Sequence, residues 1–345
     1  METTPRPFFK LATVLLFGLF LDTVIGCSGG KDGTGPTAPP FDTTPDLVAT
    51  IPAAGKGPLP LAVGPTSNTI CVVNEGSNSI SLINGASNTV MSTVPVGNGP
   101  ISVDINAKTG TAYVANSKDN TVSVVNTASG AIVATVPVGN GPISTSVNPT
   151  TGLVYVANSR DSSVSVINGA SNTVTATFAY GAAPSAIKVN PVTNILYVAS
   201  MSSPIVGMID LSDNSLVGMV PLISAAPVDN TPAAFAVDVD ATTNMAYILT
   251  NNSSVAIIDG ATKQLVTQIF NVQNAPKNIA VDPATNMIYV VNSVNTVSVI
   301  NGATNSVSNT FNVAPAPFGI AVDQTTGLVY VSSDTSISVL NGGSN

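Results

Sequence analysis

The feature that most constrains this 345-residue chain is a repeat of about 42 residues that fills most of its length. One position recurs as an aromatic or thiol side chain, and its occurrences are separated by 42, 42, 42, 50, 42 and 41 residues. These anchor positions are Cys71, Tyr113, Tyr155, Tyr197, Tyr247, Tyr289 and Tyr330. Because one such unit cannot bury an apolar face alone, the repeat predicts seven units packed against their neighbours.

Each unit reads as four short strands. Between Pro100 and Gly141 the segments ISVDIN, TAYVAN, TVSVVN and AIVATVPV alternate in polarity or are apolar on both faces. Turns rich in Asn, Gly, Ser and Thr separate them. Four antiparallel strands in about 42 residues are typical of a propeller blade. The predicted fold class is therefore all-β, a seven-bladed β-propeller of four-stranded antiparallel blades.

The seventh unit shows only three strands before the sequence ends at SISVLN and a short tail. A segment ahead of the first unit, Leu47–Pro52 (LVATIP), matches the fourth strand Ile132–Pro137 (IVATVP). We expect this N-terminal strand to complete the last blade and close the ring, which removes exposed sheet edges between blades. The fourth strand of each blade is then outermost, and the first strand lines the central channel.

Three turn signals recur at fixed distances from the anchor. Three residues before it stands only Asn or Gly, which predicts a left-handed backbone there. Seven residues before the anchor, six units carry Asn or Asp. We expect these side chains to accept hydrogen bonds from turn amides rather than to form a ring of ligands. Asn-Gly or Asp-Gly marks the third turn of five units as a hairpin. The Asn and Asp positions are Asn106, Asn148, Asn190, Asp240, Asp282 and Asp323.

The anchor tyrosines are expected to pack between blades with hydrogen-bonded hydroxyls.

The residues before the repeats have the character of an export signal. Arg6 and Lys10 precede the apolar run Leu11–Leu21, which is shorter than the roughly 20 residues of a spanning helix. The following Val24–Cys27 resembles a bacterial lipobox, which implies that Cys27 is diacylated; an ordinary signal with a chance cysteine is the alternative. We predict a lipoprotein signal peptide over 1–26, a flexible tether over 27–45 and the propeller over 46–345. The resemblance implies export and lipid anchoring in the outer membrane or at the cell surface, facing the periplasm or the exterior.

Composition limits the chemistry. The chain has no histidine, which excludes Ser-His-Asp and Cys-His catalysis and histidine-ligated metals. Its net charge is −8 and no basic stripe is visible, so no nucleic-acid partner is expected. No catalytic residue, metal site or cofactor is predicted.

Cys71 lies in an apolar strand and is expected to be a buried, unreactive thiol without a disulfide partner.

One face of the disc is the candidate binding surface, because the second-to-third and fourth-to-first loops meet there, including the long 222–232 loop. The candidate residues on it are Asn116, Lys118, Asp119, Asn158, Arg160, Asp161, Asp229 and Asn230. Solvated turn residues are the alternative interpretation. Asp104 and Lys188 are charges on first strands near the axis, expected in different blades and at different depths.

The second strands carry YVAN at Tyr113 and Tyr155, YVAS at Tyr197, YVVN at Tyr289 and YVSS at Tyr330. The repeats resemble the YVTN β-propeller family, which serves archaeal surface layers, bacterial envelope proteins and binding domains. The predicted function is an envelope-anchored binding or scaffold module for an envelope protein or polysaccharide. An alternative is a lactonase-like or quinoprotein dehydrogenase-like enzyme, and a third possibility is a self-associating surface coat.

Overall fold

The computed structural model describes residues 47–53, 55–223, 232–273 and 275–342. In these residues the chain forms 28 strands, which assemble into seven four-stranded antiparallel sheets. Six sheets contain four consecutive strands in chain order, and the seventh places β1 beside β28. The predicted fold class, an all-β seven-bladed propeller, is confirmed.

The blades follow the chain, and their strands have the following bounds. Blade 1 comprises β2 (Pro58–Gly64), β3 (Thr69–Asn74), β4 (Ser79–Asn84) and β5 (Thr89–Pro95), with a 3-10 turn at Glu75–Ser77. Blade 2 comprises β6 (Pro100–Asn106), β7 (Thr111–Asn116), β8 (Thr121–Asn126) and β9 (Ile132–Pro137). Blade 3 comprises β10 (Pro142–Asn148), β11 (Leu153–Asn158), β12 (Ser163–Asn168) and β13 (Thr173–Ala179). Blade 4 comprises β14 (Pro184–Asn190), β15 (Ile195–Ser200), β16 (Ile205–Asp210) and β17 (Ser215–Pro221). Blade 5 comprises β18 (Ala234–Asp240), β19 (Met245–Thr250), β20 (Ser254–Asp259) and β21 (Gln264–Phe270). Blade 6 comprises β22 (Pro276–Asp282), β23 (Met287–Asn292), β24 (Thr296–Asn301) and β25 (Ser306–Asn312). Blade 7 comprises β26 (Pro317–Asp323), β27 (Leu328–Ser333), β28 (Ser336–Asn341) and the N-terminal β1 (Leu47–Pro52).

The N-terminal strand closes the ring as predicted. It runs antiparallel to β28, with Leu47 opposite Leu340 and Ile51 opposite Ile337. Ile51 is only 1% exposed and packs in the apolar cluster between blades 7 and 1. The first and last strands of the propeller are therefore joined by backbone hydrogen bonds and by side-chain packing.

The hydrophobic core is divided into seven clusters, and each cluster combines residues of two neighbouring blades. The six anchor tyrosines are at most 1% exposed, and Cys71 replaces them in blade 1 as a fully buried free thiol. Burial raises the pKa of the Cys71 thiol, because the thiolate would lose its hydration. The expectation of a buried, unpaired cysteine is confirmed.

The tyrosine hydroxyls differ from one blade to the next. The Tyr289 hydroxyl donates a hydrogen bond of 2.5 Å to the carbonyl oxygen of Gly342 in blade 7. The buried hydroxyls of Tyr197 and Tyr330 have no partner among the described residues. The expected hydroxyl bond is thus confirmed at Tyr289 and wrong at these two positions, because a partner depends on where the next blade places a carbonyl.

The left-handed turn positions are confirmed in all seven blades. The residue three before each anchor has a φ between 46° and 74°. The Asn and Asp column four residues earlier also behaves as expected: the Oδ1 of Asn148 accepts bonds from the amides of Thr150 and Thr151, at 3.0 and 3.3 Å. These side chains therefore hold the first hairpin turn and are not directed at a shared ligand.

The Asn-Gly hairpins form, but glycine is needed there for close approach and not for a left-handed φ. In blade 1 the turn runs between Asn84 and Thr89, and its left-handed residue is Asn88, with a φ of 53°. A Cβ on Gly85 would lie 1.9 Å from the Oδ1 of Asn68 on the adjacent turn. Packing between the two turns therefore explains the glycine.

A bulge recurs at the outer edge of every blade. The register between the third and fourth strands shifts once in each sheet, for example between Leu82 and Ile83 in blade 1 and between Leu47 and Ala49 in blade 7. Bulges twist an edge strand away from the flat geometry that favours pairing with another chain. The outer edges are thus protected by the repeat itself.

Candidate functional site

The candidate face is built from the two predicted kinds of loop, which hydrogen-bond to each other. The amide of Ser117, after the second strand of blade 2, donates to the carbonyl of Gly99 before its first strand, at 2.8 Å. The amide of Ser159 donates to Gly141 in the same way in blade 3, at 2.9 Å. The fourth-to-first and second-to-third loops therefore lie on one face, as predicted.

Two carboxylates clamp these loops together. Asp119 accepts hydrogen bonds from the backbone amide of Asn98 at 2.7 Å and from its side-chain amide at 2.9 Å. Asp161 accepts the same two bonds from Asn140, at 2.6 and 2.8 Å. The backbone bond, followed by the side-chain bond, lowers the pKa of each carboxyl group, because both favour the charged form. The carboxylates thus fix the shape of the surface.

The neighbouring cations are exposed on this fixed surface. The aliphatic stems of Lys118 and Arg160 lie over Gly99 and Gly141, where a Cβ would come within 2.8 Å of either side chain's Cγ. Neither cation is in an ion pair with a carboxylate of the described residues. Their charged heads are therefore available to a partner.

The predicted asparagines lie beneath the face. Asn116 is fully buried, and its Nδ2 donates to the hydroxyls of Thr121 and Ser123, at 3.0 and 2.9 Å. Asn158 bonds in the same way to two serines of β12. Both therefore brace the loops from below and present no side chain to a partner. Asp229 and Asn230 lie outside the described residues, as do most of the 222–232 loop, Cys27, the signal peptide and the tether.

Low pH should remove the stability that the Asp119 and Asp161 carboxylates contribute to this face. The folded-state pKa of Asp119 and Asp161 lies below the unfolded value of about 3.9, so their stabilisation is present above that value and is lost as pH falls through the folded pKa. We expect an Asp119→Asn, Asp161→Asn double variant to lose less stability than the parent protein between about pH 4 and pH 2. Urea unfolding midpoints across that range measure the difference. Parallel curves for the two proteins would contradict the assigned role.

The central channel is the second candidate site. It has a volume of about 650 Å³ and is lined by the first strands of the blades. Asp104 pairs with Tyr113, Lys188 with Tyr197, and Asp238 with Tyr247, so all three charges occupy one level of the channel. The expectation that Asp104 and Lys188 lie at different depths is wrong, because each stands nine residues before its anchor. We name this level the charged layer; its members are Ala62, Asp104, Ser146, Lys188, Asp238, Ala280 and Ala321.

Three members of the charged layer join neighbouring blades. Asp104 accepts a hydrogen bond of 2.8 Å from the amide of Val147, and Asp238 accepts one of 2.8 Å from the amide of Val281. Ser146 accepts a bond of 3.0 Å from the amide of Val189. In each case the donor is on the first strand of the following blade. These side chains therefore help to hold the inner strands in register.

Lys188 is the exception in this layer. Its Nζ lies 3.1 Å from the Oδ1 of Asp238, and the Lys188 and Asp238 side chains are 37% and 16% exposed. The Asp238 charge raises the pKa of Lys188 and outweighs the effect of burial; Asp104 adds to the increase. Burial raises the pKa of Asp104, and Lys188 partly opposes this. The channel therefore holds a protonated ammonium group that contacts the Asp238 carboxylate and interacts electrostatically with Asp104.

The two ends of the channel are lined by different segments of the blades. Toward the candidate face it is lined by apolar side chains near the start of the first strands, including Ile101, Ile143, Phe235 and Phe318. Toward the opposite face it is lined by residues that directly follow the first strands, such as Pro149. Among the described residues, no group of three His, Cys, Asp or Glu side chains is placed to hold a metal ion. The same residues contain no helix with the length and apolar character needed to cross a membrane.

The fold and its channel define the chain as a seven-bladed β-propeller, and comparisons with known proteins agree with that class. Hydrazine synthase from Kuenenia stuttgartiensis is a similar solved structure, with a TM-score of 0.74 over 86% of this chain and 98% of that chain. The two sequences are 15% identical, so the similarity is one of fold. No protein-family model matches the chain. No curated protein matches its sequence significantly.

Proposed function

We propose that this chain is a lipid-anchored propeller of the YVTN type that acts as a binding or scaffold module of the cell envelope. The observation that carries the proposal is the pre-organised face of blades 2 and 3. There the Asp119 and Asp161 clamps fix the loops, and Lys118 and Arg160 remain exposed. A surface that is rigid before binding loses little conformational entropy when a partner is bound. The proposed partner is an envelope protein or a polysaccharide.

The channel supports binding better than the lactonase-like or dehydrogenase-like alternative. A lysine that acts as a general base or nucleophile must be able to lose its proton near the working pH. Lys188 is instead held in its charged form by Asp238 and Asp104. One carboxylate oxygen of Asp238 accepts the Val281 amide, while the other faces the Lys188 ammonium group. Such a set of groups is suited to holding a ligand by charge and hydrogen bonds.

The anchor part of the proposal depends on Cys27. Lipidation at one cysteine would keep the propeller at a membrane surface through its acyl chains. The tether over 27–45, rich in Gly, Pro and Thr, would allow the disc to turn toward a partner. Metabolic labelling with a fatty acid should mark the parent chain and leave a Cys27→Ala variant unlabelled.

The binding face is tested by photo-cross-linking in living cells. A photoreactive amino acid is placed at Lys118 or at Arg160, and at Lys108 or Ala170 as controls. The controls lie in exposed turns of the opposite face in the same two blades. We expect adducts of increased mass from the two candidate positions and not from the controls. Equal adducts from both faces, or none at any position, would refute the assignment.

A further inference from the structure

Lys188 occupies a position at which the repeat itself does not require a cation. In the charged layer, three blades carry a side chain that accepts an amide bond from the next blade, and three carry alanine. Lysine has only hydrogen-bond donors, so Lys188 cannot accept an amide bond from the next blade, and it is not a small apolar residue like alanine. The polar members also fall in four consecutive blades, 2 to 5, and the alanines fill blades 6, 7 and 1. One wall of the channel is therefore charged, and the wall across from it is small and apolar.

The charges of this layer restrict the ligands it could accept. An organic anion would meet Lys188, but it would be repelled by Asp104 and Asp238. An organic cation would meet the two carboxyl groups, but it would be repelled by the ammonium group of Lys188. A neutral hydroxyl group can accept a bond from the ammonium group and donate one to a carboxylate. Neutral hydroxyl-bearing molecules are thus the class that can use all three side chains.

The remainder of the channel suits such a molecule. Its volume of about 650 Å³ lies within the range of about 300–1,000 Å³ found for small-molecule sites. The Lys188 side chain is 37% exposed and lines the channel. Ser102 and Ser144 line the channel on the side of the candidate face, and half-buried Phe235 and Phe318 lie further along it. The channel therefore combines hydroxyl partners with aromatic surface for the carbon–hydrogen face of a ring.

We propose that the central channel binds a neutral, hydroxyl-rich small molecule of the sugar or polyol class, held by Lys188, Asp238 and Asp104 opposite the alanine wall. This site is separate from the face proposed for a macromolecular partner. Binding needs no proton transfer, and its charged contacts all come from the charged layer. It also explains why a lysine is placed where the other blades have an acceptor or alanine.

Calorimetric titration of the full-length chain in a sugar-free detergent tests the ligand class. The probes are neutral glucose, galactose, mannose, N-acetylglucosamine and inositol, with cationic glucosamine and anionic glucuronate as charged counterparts of glucose. We expect at least one neutral probe to bind with a Kd of about 1 mM or tighter. Glucosamine and glucuronate should bind at least about tenfold more weakly than that probe. Tighter binding of a charged probe, or no binding of any neutral one, would overturn the proposal.

The residues are tested with a variant designed to fold. Lys188→Ala with Asp238→Ala installs the side chain that three other blades already carry at this layer. Affinity for the neutral probe should fall by at least about tenfold in this variant. Lys108→Met removes an exposed cation outside the channel and should leave affinity unchanged. An unchanged affinity in the double variant would show that the charged layer does not hold the ligand.

Discussion

Replacing Ile51 with aspartate should lower the free energy of unfolding by at least about 4 kcal/mol. Ile51 is 1% exposed and packs between blades 7 and 1, so the change removes core contacts and buries a carboxylate without a counter-charge. Truncating a buried isoleucine alone costs about 2–5 kcal/mol, and the unpaired charge adds to that cost. Urea denaturation followed by circular dichroism measures the loss.

Val48 provides a matched control on the same strand. It is 54% exposed, so Val48→Asp should change stability by no more than about 0.5 kcal/mol. Both variants add one negative charge to β1, but Ile51 is buried opposite Ile337, whereas Val48 lies exposed at the bulge of the strand. Similar losses for the two variants would show that β1 is not packed as the closing strand of blade 7.

Replacing Lys188 with alanine should destabilise the propeller by about 2 kcal/mol at neutral pH. Removing one partner of a buried ion pair costs about 3–5 kcal/mol, and we expect less here because the Lys188 side chain is 37% exposed to the channel. The cost arises because Asp104 and Asp238, which repel each other, then share this layer without a cation. Adding Asp238→Ala should recover about half of the loss, as measured by urea unfolding.

The pH dependence of that loss follows from Asp104. Its folded-state pKa lies above the ordinary value, so the charged carboxylate destabilises the fold above the folded pKa, and the effect disappears below the unfolded value of about 3.9. Without Lys188, which lowers the pKa of Asp104, this penalty should increase. The difference between Lys188→Ala and the parent should therefore shrink as pH falls toward about 4. A difference that is constant with pH, or equal to that of Lys108→Ala, would contradict the electrostatic explanation.

Sequence reasoning predicted the ring because its evidence is periodic. A 42-residue spacing, seven anchors and a matching N-terminal strand determine the number of blades, the strand order and the closure by β1. The left-handed turns were also predictable, since only Asn and Gly occur three residues before the anchors. These features depend on backbone geometry that every blade repeats.

The candidate sites were less predictable, because they depend on how blades differ. The Lys188–Asp238 pair joins positions 50 residues apart across the one enlarged repeat, and only alignment on the anchors places them at one level. The Asn98–Asp119 and Asn140–Asp161 pairs share a separation of 21 residues, a regularity that could have indicated the clamp. The burial of Asn116 could not be read from a turn motif, since it depends on hydroxyls of the third strand.

The pairing of β1 with β28 has a consequence for synthesis. Leu47 lies among the first residues of the propeller to leave the ribosome, and its partner Leu340 is among the last. Strands within blades 1 to 6 can pair with their neighbours as they emerge, because their contacts are local. Blade 7 cannot be completed until β28 has been made. A chain that lacks β28 therefore leaves β1 without its pairing strand and blade 7 incomplete, a form exposed to proteases and to mispairing.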